Sequence, residues 1–272
     1  MRQTSLAALL VMAAVPLAAV NWRLVWSDEF NVSGAPDSAK WTFEEGFVRN
    51  NEAQLYTKGR LENVRVENGM LVIEARKEEF QNPFFKEGSK RAEEARRMAN
   101  YTSGSVTTEG KGSWNRGRVE VRAKLPAGRG TWLAIWMLGA NYGKVGWPKC
   151  GEIDIMEHVG FDPGVIHANI HTKSYNHVKK TDKGDKIMVE NPSGSFHVYA
   201  VEWSTARMEF FVDDKKYFTY TNDKTGVDAW PFDKPFYLIL NIAIGGSWGG
   251  QKGIDDSVFP QRMEVDYVRV YQ

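Results

Sequence analysis

The chain of 272 residues has a single cysteine, Cys150, so no intramolecular disulfide can form and the fold must be held by core packing. It has almost no charge of either sign in excess. The 35 Lys and Arg against 34 Asp and Glu leave a formal net charge of +1, which argues against a nucleic-acid binder, since such proteins carry a basic surplus. It also lacks a long hydrophobic run. The one extended apolar stretch, Leu6 to Val20, falls short of the ~18–20 residues that a membrane span requires. That stretch follows a positive start at Met1-Arg-Gln and is broken only by small residues and Pro16. This is the layout of a secretory signal peptide, with cleavage expected after Ala19. Residues 1–19 are therefore expected to be removed on export, leaving no membrane attachment. No internal repeat, low-complexity linker or appended binding module interrupts residues 20–272, which read as one domain acting as a monomer.

What the chain does contain is strand signal. Val64 and Val66 alternate, Asn68-Gly69 is a hairpin turn, and Leu71, Ile73 and Ala75 alternate beyond it. Val119, Val121 and Ala123 repeat the pattern, Asp213-Asp214 marks another hairpin, and Phe236 to Ile244 is nearly continuous apolar strand. Many short strands with regular turns predict an all-β sandwich or barrel. The charged segment Lys86 to Arg97 departs from this and reads as a surface loop with one helical turn. A Glu93–Arg97 pair would stabilise that turn, and the loop would wall one end of a cleft.

The most chemically loaded segment is Gly151-Glu-Ile-Asp-Ile-Met-Glu-His158. Strand alternation puts Glu152 and Asp154 on one face and Ile153 and Ile155 on the other. Strict alternation would then turn Glu157 away; one extra residue, a β-bulge, returns it to the acidic face. The two glutamates would then lie four strand steps apart, ~13 Å between Cα atoms, and leaning side chains could bring the carboxyls to roughly 5–6 Å. That is the spacing of a retaining glycosidase, and mutual repulsion would keep one carboxyl protonated at neutral pH. An acidic edge strand facing water is the bland alternative. The flanks weigh against it: Trp132, Trp136 and Trp147 surround the motif, and indole faces stack on sugar rings. His167, Asn169 and His171 alternate with Ile166, Ala168 and Ile170, giving a second polar face. Two histidines can also suggest zinc, but the neighbouring Glu152 and Glu157 are needed as free carboxyls. Cys150, without a base beside it in sequence, reads as a packed side chain.

The block Trp132 to Trp136, Trp147-Pro148 and Gly151 to Glu157 resembles the active-site region of glycoside hydrolase family 16, in the bulged form of its laminarinases. Matches in the same order include Trp26-Ser-Asp-Glu-Phe30, Asn50-Asn51-Glu52, Tyr101-Thr-Ser-Gly-Ser105, Asn241 to Trp248 and Asp266 to Gln272. The resemblance implies a β-jelly roll, a sandwich of two curved antiparallel sheets with a concave cleft. It implies an endo-β-glucanase acting on a β-glucan polysaccharide, laminarin-like or mixed-linkage. By the same resemblance Glu152 is the nucleophile, Glu157 the acid and base, and Asp154 the residue that orients the nucleophile. It implies that Asn51, Arg76, Trp132, Trp136, Trp147, His171, Asn241 and Trp248 contact sugar, with His171 near Glu157. No cofactor serves catalysis. A structural calcium ion is implied on the convex side, held by Asp266 with backbone oxygens of Glu29 and Gly69, a donor set that suits calcium. Agarases and carrageenases share the resemblance, and the sequence does not separate them; non-catalytic glucan-binding lectins share it too, but loss of either glutamate would favour that reading and both Glu152 and Glu157 are present.

Overall fold

The computed structural model describes residues 21–272; the expected signal peptide lies outside the described residues. Two sheets stack face to face. The seven-stranded sheet runs, from one edge to the other, through Lys183–Met188, Val165–His171, Glu152–Val159, Thr131–Gly139, Phe236–Ile244, Ser105–Thr107 and Thr42–Phe43. The ten-stranded sheet is led by Lys215–Thr221, Arg207–Val212, His197–Trp203, Gly117–Lys124, Gln261–Tyr271 and Met70–Gln81. Apart from Leu55–Tyr56, which lies parallel to Met98–Ser103, neighbouring strands are antiparallel. The expected all-β sandwich of two sheets is what forms, and it is not closed into a barrel. Asn68 and Gly69 both take positive φ, as a two-residue hairpin turn demands, and so do Asp213 and Asp214.

The core fills the space between the sheets. Leu133, Ile135 and Met137 meet Leu238, Leu240 and Ile242 there, packed against Val121, Val268 and Tyr199 of the other sheet. The alternate residues of the same two strands, among them Ala134, Trp136, Leu138, Tyr237 and Ile239, form a second apolar cluster on the opposite face. The Phe236–Ile244 strand is thus apolar on both faces because the floor of the cleft is itself largely apolar. Cys150 is fully buried in that second cluster, and burial pushes its thiol up to about 12, so it packs and does not react.

The charged insertion contains a four-residue helix, Ala92–Ala95. Glu93 does not pair with Arg97 as the spacing suggested. A single turn is too short to set that alignment, and Glu93 bonds Arg91, while Arg97 lies over the Phe85 ring. Arg96 ties the insertion down, donating to the Glu52 carbonyl (2.9 Å) and covering Phe47.

Candidate active site

The pairing of the Glu152–Val159 strand carries one irregularity. Against Thr131–Gly139, Asp154 lies opposite Trp136 and Met156 opposite Ile135, so two steps on one strand match one on its neighbour. The same slip appears on the other side, between Asp154 facing Asn169 and Glu157 facing His167. This is the bulge that the spacing predicts. It lets Ile153, Ile155 and Met156 all enter the core while Glu152, Asp154 and Glu157 share the cleft face. Burying the Met156 side chain contributes about 1.5–3 kcal/mol, which offsets the disturbed ladder. Gly151 opens the strand at φ +84°, and a Cβ there would meet Pro231 and Phe236 at 2.7 and 2.8 Å.

Two indoles hold the outer carboxylates. Trp147 Nε1 donates to Glu152 Oε2 and Trp132 Nε1 donates to Glu157 Oε1, each at 3.0 Å. Asp154, 3% exposed, has an Oδ2 with no hydrogen-bond partner among the described residues. Burial raises all three. It takes Glu152 up to about 8, with the charge of Glu157 adding to it, and Glu157 up to about 7, and it lifts Asp154 well above the usual carboxylate range. Three like charges this close cannot all be ionised at neutral pH, so the cluster keeps protons there. Elevation alone does not single out the acid, because burial raises both glutamates, but the neighbouring charges act differently on the two. Arg49 favours the ionised form of Glu152, whereas Asp182 favours the protonated form of Glu157.

The cleft continues on both sides of this cluster. Towards Glu157 it holds about 720 Å³ and is lined by Trp132, Trp248, Asn50, His167, Asn169 and the hairpin residues Asp182, Asp185 and Lys186. Towards Glu152 it holds about 380 Å³, between Trp136, Trp147, Arg49, Tyr142, Tyr237 and Asn241. Trp248 packs edge-on against Trp132 and against His167, so these rings form one aromatic wall. Trp147 stands beside His171 and His177.

Several expected positions are displaced. His171 does not lie beside Glu157. Antiparallel pairing reverses the order of residues, so His171 faces Glu152, with Nε2 3.6 Å from Glu152 Oε1 and 3.4 Å from Asp154 Oδ2. Burial lowers the ring to about 4, leaving it neutral at working pH. Asn51 is exposed and does not line the cleft; its neighbour Asn50 does. Arg76 lies on the strand face opposite Leu71, Ile73 and Ala75, pairs with Glu74 and Glu78, and is not among the residues that line the cleft. Trp136 is on the cleft floor but only 7% exposed. Arg49 covers its ring at 5.0 Å, and its N–H donates to Asn241 Oδ1 (2.8 Å). Asn241 in turn donates to the Tyr56 hydroxyl (3.0 Å), so its amide braces the floor. Arg49, which pairs with Glu44, and Asp182, bonded by Asn169 (3.0 Å), carried no sequence signal. Both arrive through chain folding far from the motif.

Asp266 sits at an irregularity of the Gln261–Tyr271 strand, where its edge partner changes from Met70–Gln81 to Leu24–Asp28. Gly69 lies in the turn preceding one partner, and Glu29 lies just past the end of the other. Arg122 pairs with the Asp266 carboxylate at 2.5 Å, and Arg269 holds the Glu29 side chain, so only the Glu29 main chain would be free to act as a donor.

The description "Glycosyl hydrolases family 16" belongs to the family model that matches residues 51–269. A β-glucanase of Rhodothermus marinus is 49% identical over 93% of this chain and 86% of its own length. The crystal structure of the laminarinase from Rhodothermus marinus superposes with a TM-score of 0.83 at 49% identity, covering 93% of this chain and 98% of that one. SCLam, described as a non-specific endo-β-1,3(4)-glucanase, superposes with the same TM-score at 50% identity, over 95% of this chain and 94% of its own.

Proposed function

This chain belongs to glycosyl hydrolase family 16, and from that membership we propose that it is a retaining endo-β-glucanase that cleaves β-1,3 bonds in laminarin-like glucans and mixed-linkage β-1,3/1,4-glucans. The observation that carries the reading is the bulge that turns Glu152 and Glu157 to one cleft face, with Arg49 acting on the first and Asp182 on the second. The likeness to a laminarinase and to a non-specific endo-β-1,3(4)-glucanase supports the substrate class.

In the first step the Glu152 carboxylate attacks the anomeric carbon as Glu157 gives its proton to the glycosidic oxygen. The C–O bond breaks, and a glycosyl ester of Glu152 forms. Glu157, now ionised, takes a proton from water, which attacks the same carbon and frees Glu152 with the original anomer restored. Asp154 is buried beside Glu152 with its carboxyl pushed towards the protonated form, so it can donate to Glu152 and hold it in line. The aromatic wall of Trp132 and Trp248 and the flank of Trp147 offer apolar faces to the sugar rings. Reducing-end release from laminarin, lichenan, curdlan, agarose and carrageenan in parallel tests the proposal. Release from laminarin and lichenan is expected. None from either would overturn the reading, and release from agarose or carrageenan alone would replace it with galactan hydrolysis.

The Trp132 bond supplies a finer test. Its N–H favours ionised Glu157, so Trp132→Phe should raise the affinity of Glu157 for its proton. The acid then stays protonated to higher pH, and the basic limb of the kcat profile should move up by about one unit. An unmoved or lowered limb would refute Glu157 as the proton donor.

We also propose the convex calcium site, as a brace of the sheet edge and not of the chemistry. EDTA treatment should lower the melting temperature of protein prepared in calcium, and readdition of calcium should restore it. An unchanged melting temperature removes the site.

A further inference from the structure

Glu152, Asp154 and His171 offer three ligand atoms within 4.8 Å of one another, the one such group of His, Cys, Asp and Glu among the described residues. The distances from His171 Nε2, 3.4 Å to Asp154 Oδ2 and 3.6 Å to Glu152 Oε1, are near the edges of a metal tetrahedron. Bonds of about 2.0–2.2 Å to zinc give ligand-to-ligand separations of roughly 3.3–3.6 Å. Asp154 Oδ2 is buried, without a hydrogen-bond partner, and points into this space. His171 Nδ1 has no partner either, so the imidazole is not committed elsewhere. The fourth direction opens on the cleft, bordered by His177, whose ring centre is 5.1 Å from that of His171.

We infer that Glu152, Asp154 and His171 form a seat for a transition-metal dication, and that a metal bound there competes with glucan. The competition rests on the proposed nucleophilic role of Glu152; the binding does not. A mixed imidazole and carboxylate set selects zinc or copper over magnesium and calcium. With the second imidazole nitrogen unsupported, affinity should fall roughly 10–100-fold below that of a fully braced site. Such a metal therefore acts as a reversible inhibitor and not as a resident ion.

Zinc chloride titrated into the full chain by calorimetry tests the inference, with cobalt absorption reporting the ligand geometry. One zinc per chain is expected, with a tetrahedral cobalt spectrum, and no heat from magnesium. His171→Gln and Asp154→Asn should each weaken zinc binding tenfold or more, circular dichroism confirming that both fold. His197→Gln, which removes the separate His197–Asp213 pair, should leave it unchanged. Zinc should raise KM for laminarin without lowering kcat. No binding, or binding lost in His197→Gln and kept in His171→Gln, would overturn the seat. Tight binding without inhibition would overturn the competition. Absence of any glucanase activity in metal-free buffer would instead count against the proposed function, leaving the calorimetric result intact.

Discussion

Glu152→Gln is expected to lower kcat on laminarin by on the order of 10⁴-fold or more, the scale on which enzymes lose activity when a covalent nucleophile is removed. The amide keeps the size and the bond from Trp147 but cannot attack carbon. Folding should survive the change. Glu152 is half-buried beside Asp154 and Glu157, and a neutral group there removes like-charge repulsion without opening a cavity. The melting temperature should accordingly hold or rise while turnover vanishes. A variant that keeps even a tenth of wild-type turnover, with its fold intact, would show that the covalent step does not pass through this carboxylate.

Glu157→Ala should differ in kind. With laminarin, whose leaving group needs a proton, the loss should be on the order of 10²–10⁴-fold. With a dinitrophenyl β-glucoside chain, whose leaving group needs none, the glycosyl ester of Glu152 should still form and then persist, because no base activates water. Azide requires no base and fits the space the carboxylate vacates. It should restore turnover and give a β-glycosyl azide, which NMR identifies. An α-glycosyl azide, or β-azide rescue in Glu152→Ala instead, would exchange the two roles.

Both outcomes depend on a feature that was readable in the chain. The order Ile-Asp-Ile-Met-Glu leaves one residue too many for simple alternation, and the structure resolves it with Ile155 and Met156 both in the core. The all-β class was equally legible, because hairpin turns and period-two patterns are local signals, but they left sandwich and barrel open, and the family resemblance supplied the two-sheet form. Pairing partners were not. His171 could be placed on the cleft face by its alternation with Ile170, but which glutamate it meets is set by antiparallel register, and that puts it opposite Glu152. Asn50 and Asn51 are chemically identical and share a φ of +53°, so only the path of the turn decides that Asn50 enters the cleft. Arg76 shares strand parity with Glu74, which holds it in an ion pair, a pattern present in the sequence that the family resemblance does not convey. Arg49 and Asp182, which distinguish the two glutamates electrostatically, reach the site from a loop over 100 residues before the motif and from a hairpin after it. Charge at that distance along the chain has no local signature.

The most direct measurement is the configuration of the first sugar released. Proton NMR of laminarin hydrolysis, recorded before mutarotation, should show the β-anomer appearing first and the α-anomer growing only at the rate of spontaneous equilibration. The α-anomer as the initial product would mean that water attacks in a single displacement, and that the two carboxyls on the bulged strand do not work as nucleophile and acid.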